Sequence, residues 1–133
     1  MNFSENTLKV LKVNGWNENR KIDIVNYKSA LKKAEFKVHN CAEDFLEKFG
    51  GIEIEYLLKW QYDMAKKDNM DNPVEFSRKD FNFNVLTALS MVASHSRGAL
   101  RICEKQLRKG LTVIGESNKR HITLLMDKDG IVY

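Results

Sequence analysis

The stretch Phe45-Leu46-Glu47-Lys48-Phe49-Gly50-Gly51-Ile52-Glu53-Ile54-Glu55-Tyr56-Leu57 changes its apolar period halfway along. Phe45, Leu46 and Phe49 fall at helical spacing, whereas from Ile52 onward apolar and acidic residues alternate. A helix therefore ends at Gly50-Gly51, where glycine tolerates the stopping conformation. A half-buried strand follows, with Ile52, Ile54 and Tyr56 on one face and Glu53 and Glu55 on the other.

Working back from this junction, Asn40 followed by Glu43 reads as a capping box that starts the helix. Phe36-Lys37-Val38 alternates and reads as a short strand. A helix is expected from about Asp23, its cap, to about Ala34, with Ile24, Tyr27, Leu31 and Ala34 as its stripe. Ser4 caps a first helix whose apolar side is Leu8, Leu11 and Val13, Gly15 stops it, and Trp16 turns back onto the core.

Working forward, residues 66–80 are polar, contain Asp68-Asn69, Asp71-Asn72 and Pro73, and read as a loop or hairpin connection. Helical periodicity returns from about Asn84 to Lys109. Val85, Leu86, Leu89 and Val92 form one stripe, Leu100, Cys103 and Leu107 another, Gly98 divides them and Gly110 ends the second. Leu111–Ile114 and His121–Met126 read as strands joined through Gly115–Arg120. Asp129-Gly130 marks a tight turn into a third, closing strand. This order predicts an α+β fold with a mainly antiparallel sheet.

The chain's 133 residues fit one domain with a single hydrophobic core. Met1–Glu5 lacks a basic run followed by an apolar one, so no secretory leader is expected. No apolar run approaches the roughly 20 residues of a membrane span. Cys41 and Cys103 are expected to be free thiols, and the cytoplasm is the expected location. The net charge of +4 is mild, but its distribution is uneven. Residues 40–63 carry Glu43, Asp44, Glu47, Glu53, Glu55 and Asp63 against Lys48 and Lys59. Residues 97–120 carry Arg97, Arg101, Lys105, Arg108, Lys109, Lys119 and Arg120 against Glu104 and Glu116.

Catalytic and cofactor signatures do not emerge. His39, His95 and His121 lack metal-site spacing and neither cysteine belongs to a CxxC pair. Gly110 and Gly115 form no phosphate-binding loop. Asp127-Lys128-Asp129-Gly130 reads as a hairpin turn, because the glutamate that completes a calcium loop does not follow. Trp16, Phe45 and Phe49 read as core, and Phe81 and Phe83, beside Arg78 and Lys79, as the more exposed aromatic pair. The chain reads as a non-enzyme without cofactor or metal.

Three blocks occur in a fixed order: Gly15-Trp16 with Arg20; Phe45-Leu46 with Phe49-Gly50-Gly51; and Ile114-Gly115-Glu116 followed by Asp129-Gly130-Ile131-Val132-Tyr133. In that order the chain resembles the third branch of the SUKH superfamily, bacterial immunity proteins related in fold to yeast cell-wall-synthesis regulators. The resemblance spans nearly the whole chain. It implies one SUKH-like domain over residues 1–133, with helices wrapped about a sheet. It also implies a protein that binds and neutralises a toxin domain, often a nuclease, in a stoichiometric complex. The chain departs from the family pattern at Val113, where proline is common, and at Glu35, where glycine is common. Relatives often add a helix after the final block, where this chain ends at Tyr133. On this reading Glu43, Asp44, Glu47, Glu53, Glu55 and Asp63 form the toxin-binding face, with Trp60 and Tyr62 as anchors. The alternative is a small nucleic-acid-binding regulator using the basic 97–120 segment.

Overall fold

A computed structural model of the chain describes residues 2–56, 78–92, 97–118 and 120–133, with the backbone alone at 55, 56, 78–80 and 97. Ser4 caps the first helix, α1 (Glu5–Val13), by accepting from the Thr7 amide at 3.2 Å. The helix ends with Gly15 at φ 90° and the Trp16 amide bonded back to the Leu11 carbonyl. Leu11 is buried and Leu8 partly so, but Val13, expected on the same side, is 86% exposed. Helix α2 (Val25–Lys33) starts just after Asp23, whose carboxylate accepts from the Val25 amide at 2.9 Å. It buries Ile24 and Leu31 against the core as its stripe requires.

Helix α3 (Asn40–Phe49) differs from the expected capping box. Asn40 is its first helical residue, His39 stands at the cap with its ring bonded to the Gly110 carbonyl at 2.9 Å rather than capping the helix, and the Glu43 carboxylate turns to Lys28 at 2.9 Å. The ion pair across helices competes successfully with the local cap. Residues 36–38 form no strand. Phe36 is buried, and this extended segment is tied through side chains: Thr112 Oγ1 donates to the Lys37 carbonyl at 2.6 Å. No ladder partner is offered to its backbone.

Strand β1 (Glu53–Tyr56) follows Gly50-Gly51 and pairs antiparallel with β2 (Arg78–Asn82). The polar stretch read as connection through residue 80 thus ends in strand. A bulge leaves Asp80 unpaired, while β1 keeps its alternation, so Glu53 and Glu55 occupy register positions on one face. Asn84 caps α4 (Val85–Met91), accepting from the Leu86 and Thr87 amides at 3.0 and 3.3 Å. Helix α5 (Arg97–Leu107) follows, so Gly98 lies inside a helix rather than between two. It ends through Arg108 at φ 53°, not at Gly110.

Strands β3 (Thr112–Ser117) and β4 (Ile122–Met126) complete a four-stranded antiparallel sheet in the order β1-β2-β3-β4. Gly115, expected in the connecting loop, lies within β3. A Cβ there would come 2.5 Å from the Asn82 carbonyl oxygen, so only glycine allows β3 to approach the end of β2 so closely. The closing third strand is reduced to a single bridge, Met126 to Val132.

Five helices and four strands are therefore described, an α+β arrangement with helices packed on an antiparallel sheet. The larger core cluster joins α2, α3, α4 and the sheet through Leu31, Leu46, Val85, Val113 and Ile114. The smaller holds Leu11, Trp16, Phe49 and Ile52, and Phe45 packs against both.

Candidate functional site

The three sequence blocks prove to be joints. Trp16 stacks on Phe49 at 6.0 Å with the rings nearly parallel, and Phe45 lies 4.9 Å from Phe49. Arg20 donates to the Lys48 and Gly50 carbonyls at 3.0 and 2.8 Å, satisfying the open C-terminus of α3. A Cβ on Gly50 would strike the Leu46 carbonyl oxygen at 2.5 Å and the Tyr27 ring at 2.9 Å. Phe83, expected at the surface, meets Phe45 edge-on at 5.1 Å and stacks with Phe81 at 6.1 Å. Both are half-buried, because this aromatic cluster extends along β2.

The third block is organised by Asp127, which is fully buried. Its carboxylate receives Lys109 Nζ at 2.6 Å, the Tyr133 hydroxyl at 3.0 Å, and the Asp129 and Ile131 amides at 2.9 and 3.0 Å. The lysine ammonium and these donors hold the Asp127 carboxyl well below the usual carboxylate range, and the same contact raises Lys109. Cys41 donates its thiol hydrogen to the Asp127 carbonyl at 3.0 Å, tying α3 to the hairpin. The Asp-Lys-Asp-Gly stretch is a turn whose first carboxylate is consumed by its own donors. Among the described residues no group of His, Cys, Asp and Glu is placed to hold a metal ion.

The expected acidic face is only partly assembled. Glu43, Asp44 and Glu47 share α3, but Lys28 pairs with Glu43 at 2.9 Å and Lys21 with Glu47 at 3.4 Å. Asp44 and Glu53 are exposed, and Glu55 holds its register position on β1. Trp60, Tyr62 and Asp63 lie outside the described residues.

The basic segment is divided as well. Arg101 pairs with Glu104 at 2.7 Å, donates to the Glu35 carbonyl at 2.8 Å and lies over the Phe36 ring at 5.0 Å. Lys109 is held by Asp127, and Arg120 by Glu116, whose buried carboxylate lies 3.4 Å away. Lys105 and Arg108 make no ion pair among the described residues. With Lys37, Glu35 and Glu104 they line a cleft of about 480 Å³ beside Gly110. Sequence reasoning grouped these cations by position in the chain, and the structure separates the committed ones from the rest. Lys37, 60 or more positions upstream, gave no signal that it belonged with them.

Across α5 from this cleft runs a groove of about 490 Å³ between α5 and β4. Leu100, Leu111 and Leu125 form its buried floor, and Leu107, Ile122 and Tyr133 its exposed rim. The stripe read as core at Leu100, Cys103 and Leu107 is thus buried only at Leu100, while Cys103 and Leu107 open onto the groove. Both cysteines are free. No helix among the described residues is long and apolar enough to cross a membrane.

The described residues form a small α+β domain with surface clefts beside its helices, and its three sequence blocks serve as joints. The chain belongs to the SUKH-3 immunity protein family, whose model matches residues 3–133. No curated protein and no solved structure matches it.

Proposed function

We propose that this chain is an immunity protein that binds a cognate bacterial toxin domain in a stoichiometric complex and neutralises it, acting in the cytoplasm without cofactor or catalysis of its own. The observation that carries this reading is the family match over residues 3–133. The consumption of the sequence blocks by structural joints supports it, because it leaves surfaces as the functional parts. A nuclease is one target class this reading admits, and a stable complex needs buried anchors as well as complementary charge. The acidic row of Glu43, Asp44, Glu47, Glu53 and Glu55, with Trp60, Tyr62 and Asp63, is proposed as one contact patch, its charge reduced by Lys28 and Lys21.

The test is co-expression with the C-terminal domain of the large protein encoded beside this chain. Cell survival together with a co-purifying complex is the expected result. Toxicity that the chain does not relieve would overturn the proposal.

A further inference from the structure

Three helices of this chain end in the same way, and two of them use the wrong residue. At the end of α1 the Trp16 amide bonds to the Leu11 carbonyl, with Gly15 between at φ 90°. At the end of α2 the Phe36 amide bonds to the Leu31 carbonyl with Glu35 at φ 62°. At the end of α5 the Lys109 amide bonds to the Glu104 carbonyl with Arg108 at φ 53°. This stop places one residue in the left-handed region, where glycine sits without strain and a side chain crowds its own backbone. Glu35 and Arg108 both line the same cleft, together with Lys37 and Lys105. Lysine in the last turn of a helix is an ordinary complement to the helix dipole. Glu35 and Arg108 put charged side chains at two such helix stops beside one cleft, while Asn118 and Arg120 adopt positive φ in the β3–β4 connection away from it.

The cleft is one flank of α5. Arg101, Glu104, Lys105 and Arg108 stand on that side at helical spacing, and Leu100, Cys103 and Leu107 stand on the other, over the apolar groove. Ile102 occupies the crest between them and is 58% exposed. Leu107 and Ile122, at the groove's rim, are 39% and 48% exposed. Leu107 and Ile122 rim the apolar groove on one flank of α5, Lys105 and Arg108 line the cleft on the other, and exposed Ile102 stands on the helix between; exposed apolar residues beside uncommitted charge have the anatomy of a protein interface. Resting on the immunity reading above, we propose that the α5 ridge is a toxin-docking surface additional to the acidic row, and that the toxin meets it with a carboxylate-bearing segment beside an aliphatic or aromatic anchor. The anchor enters the groove at Leu107 and Ile122, and the carboxylates face Lys37, Lys105 and Arg108. Phosphate would satisfy the same cations, but a nucleic-acid backbone has no use for the apolar crest and groove, which favours a protein partner.

The test uses the full chain and the adjacent gene's toxin domain as probe, with binding measured by titration and by association kinetics. Ile102 and Leu107 are exposed, so Ile102→Asp and Leu107→Glu are expected to fold, which circular dichroism checks. Each should weaken binding at least 30-fold. Lys105→Glu with Arg108→Glu should slow association about tenfold at low salt, with the difference shrinking as salt rises. Lys9→Glu, an exposed reversal on α1, should change neither. Wild-type binding with both apolar variants within threefold would overturn the ridge while leaving the immunity reading intact. Absence of wild-type binding and rescue would overturn that reading and the ridge with it. Self-association of the chain that Leu107→Glu dissolves would assign the groove to a second copy and overturn the proposal. So would binding of a 30-nucleotide RNA that Lys105→Glu with Arg108→Glu abolishes while toxin affinity stays unchanged.

Discussion

At Asp127 one carboxylate closes the C-terminal hairpin with four donors, two from backbone amides and two from Lys109 and Tyr133. Its folded-state pKa is depressed, so its contribution is fully present above the ordinary carboxylate range, near 4, and fades as pH falls through the lower folded value. Lys109 is raised, so its share persists below the ordinary lysine value and is lost only as pH climbs through the higher folded one. Asp127→Asn should lower the thermal midpoint at pH 7, and the gap from wild type should narrow as pH falls below about 4, in melts followed by circular dichroism. Glu35 offers the opposite case. Its left-handed backbone is imposed by the way α2 stops, so Glu35→Gly should stabilise the fold by about 0.5–1 kcal/mol in urea titrations. The sequence showed the turn at Asp129-Gly130, and the family's common glycine marked position 35, but the left-handed residue at 108 could not be read, since nothing about Arg announces φ above zero.

Among the elements, β3 is buried over Thr112–Glu116 because helices cover it and strands flank it on both sides. Gly115 is what permits that position, with the Asn82 backbone directly against its Cα. Gly115→Ala should cost about 1–3 kcal/mol, the range for overpacking a filled interior, read as a lower urea midpoint with unchanged slope. Helices α1, α2 and α3 were legible within a few residues because each buries one stripe at helical spacing, and periodicity records burial directly. Strand β2 was hidden because Arg78-Lys79-Asp80 lacks alternation, and pairing with β1 made it a strand. Residues 36–38 have the alternation without the partner.

Over the whole molecule, two core clusters are bridged by Phe45, which packs on Phe49 and Phe83 in one and against the other's buried residues. The bridge should make unfolding a single transition. With Trp60→Phe leaving Trp16 as the remaining tryptophan, its fluorescence and far-ultraviolet circular dichroism should report the same midpoint. Phe45→Ala should cost about 3 kcal/mol and separate the two signals, fluorescence changing first; coincident curves in that variant would show the clusters coupled by another route. Among the described residues the charge asymmetry along the chain is partly paired off. Folding brought Lys21 and Lys28 to the acids and Glu104, Glu116 and Asp127 to the bases.

The sequence by itself determined the α+β class, the helix stripes, the aromatic core around Trp16, Phe45 and Phe49, and membership of the family. Each of these follows from local periodicity or from ordered blocks that serve as joints. The tertiary structure alone decided which charges are spent internally and which remain at the surface, because ion pairing depends on distances between residues remote in the chain. It also decided that Lys37, Lys105 and Arg108 line one cleft. A docking surface is assembled from the outward faces of several elements, and those faces carry no periodic signal.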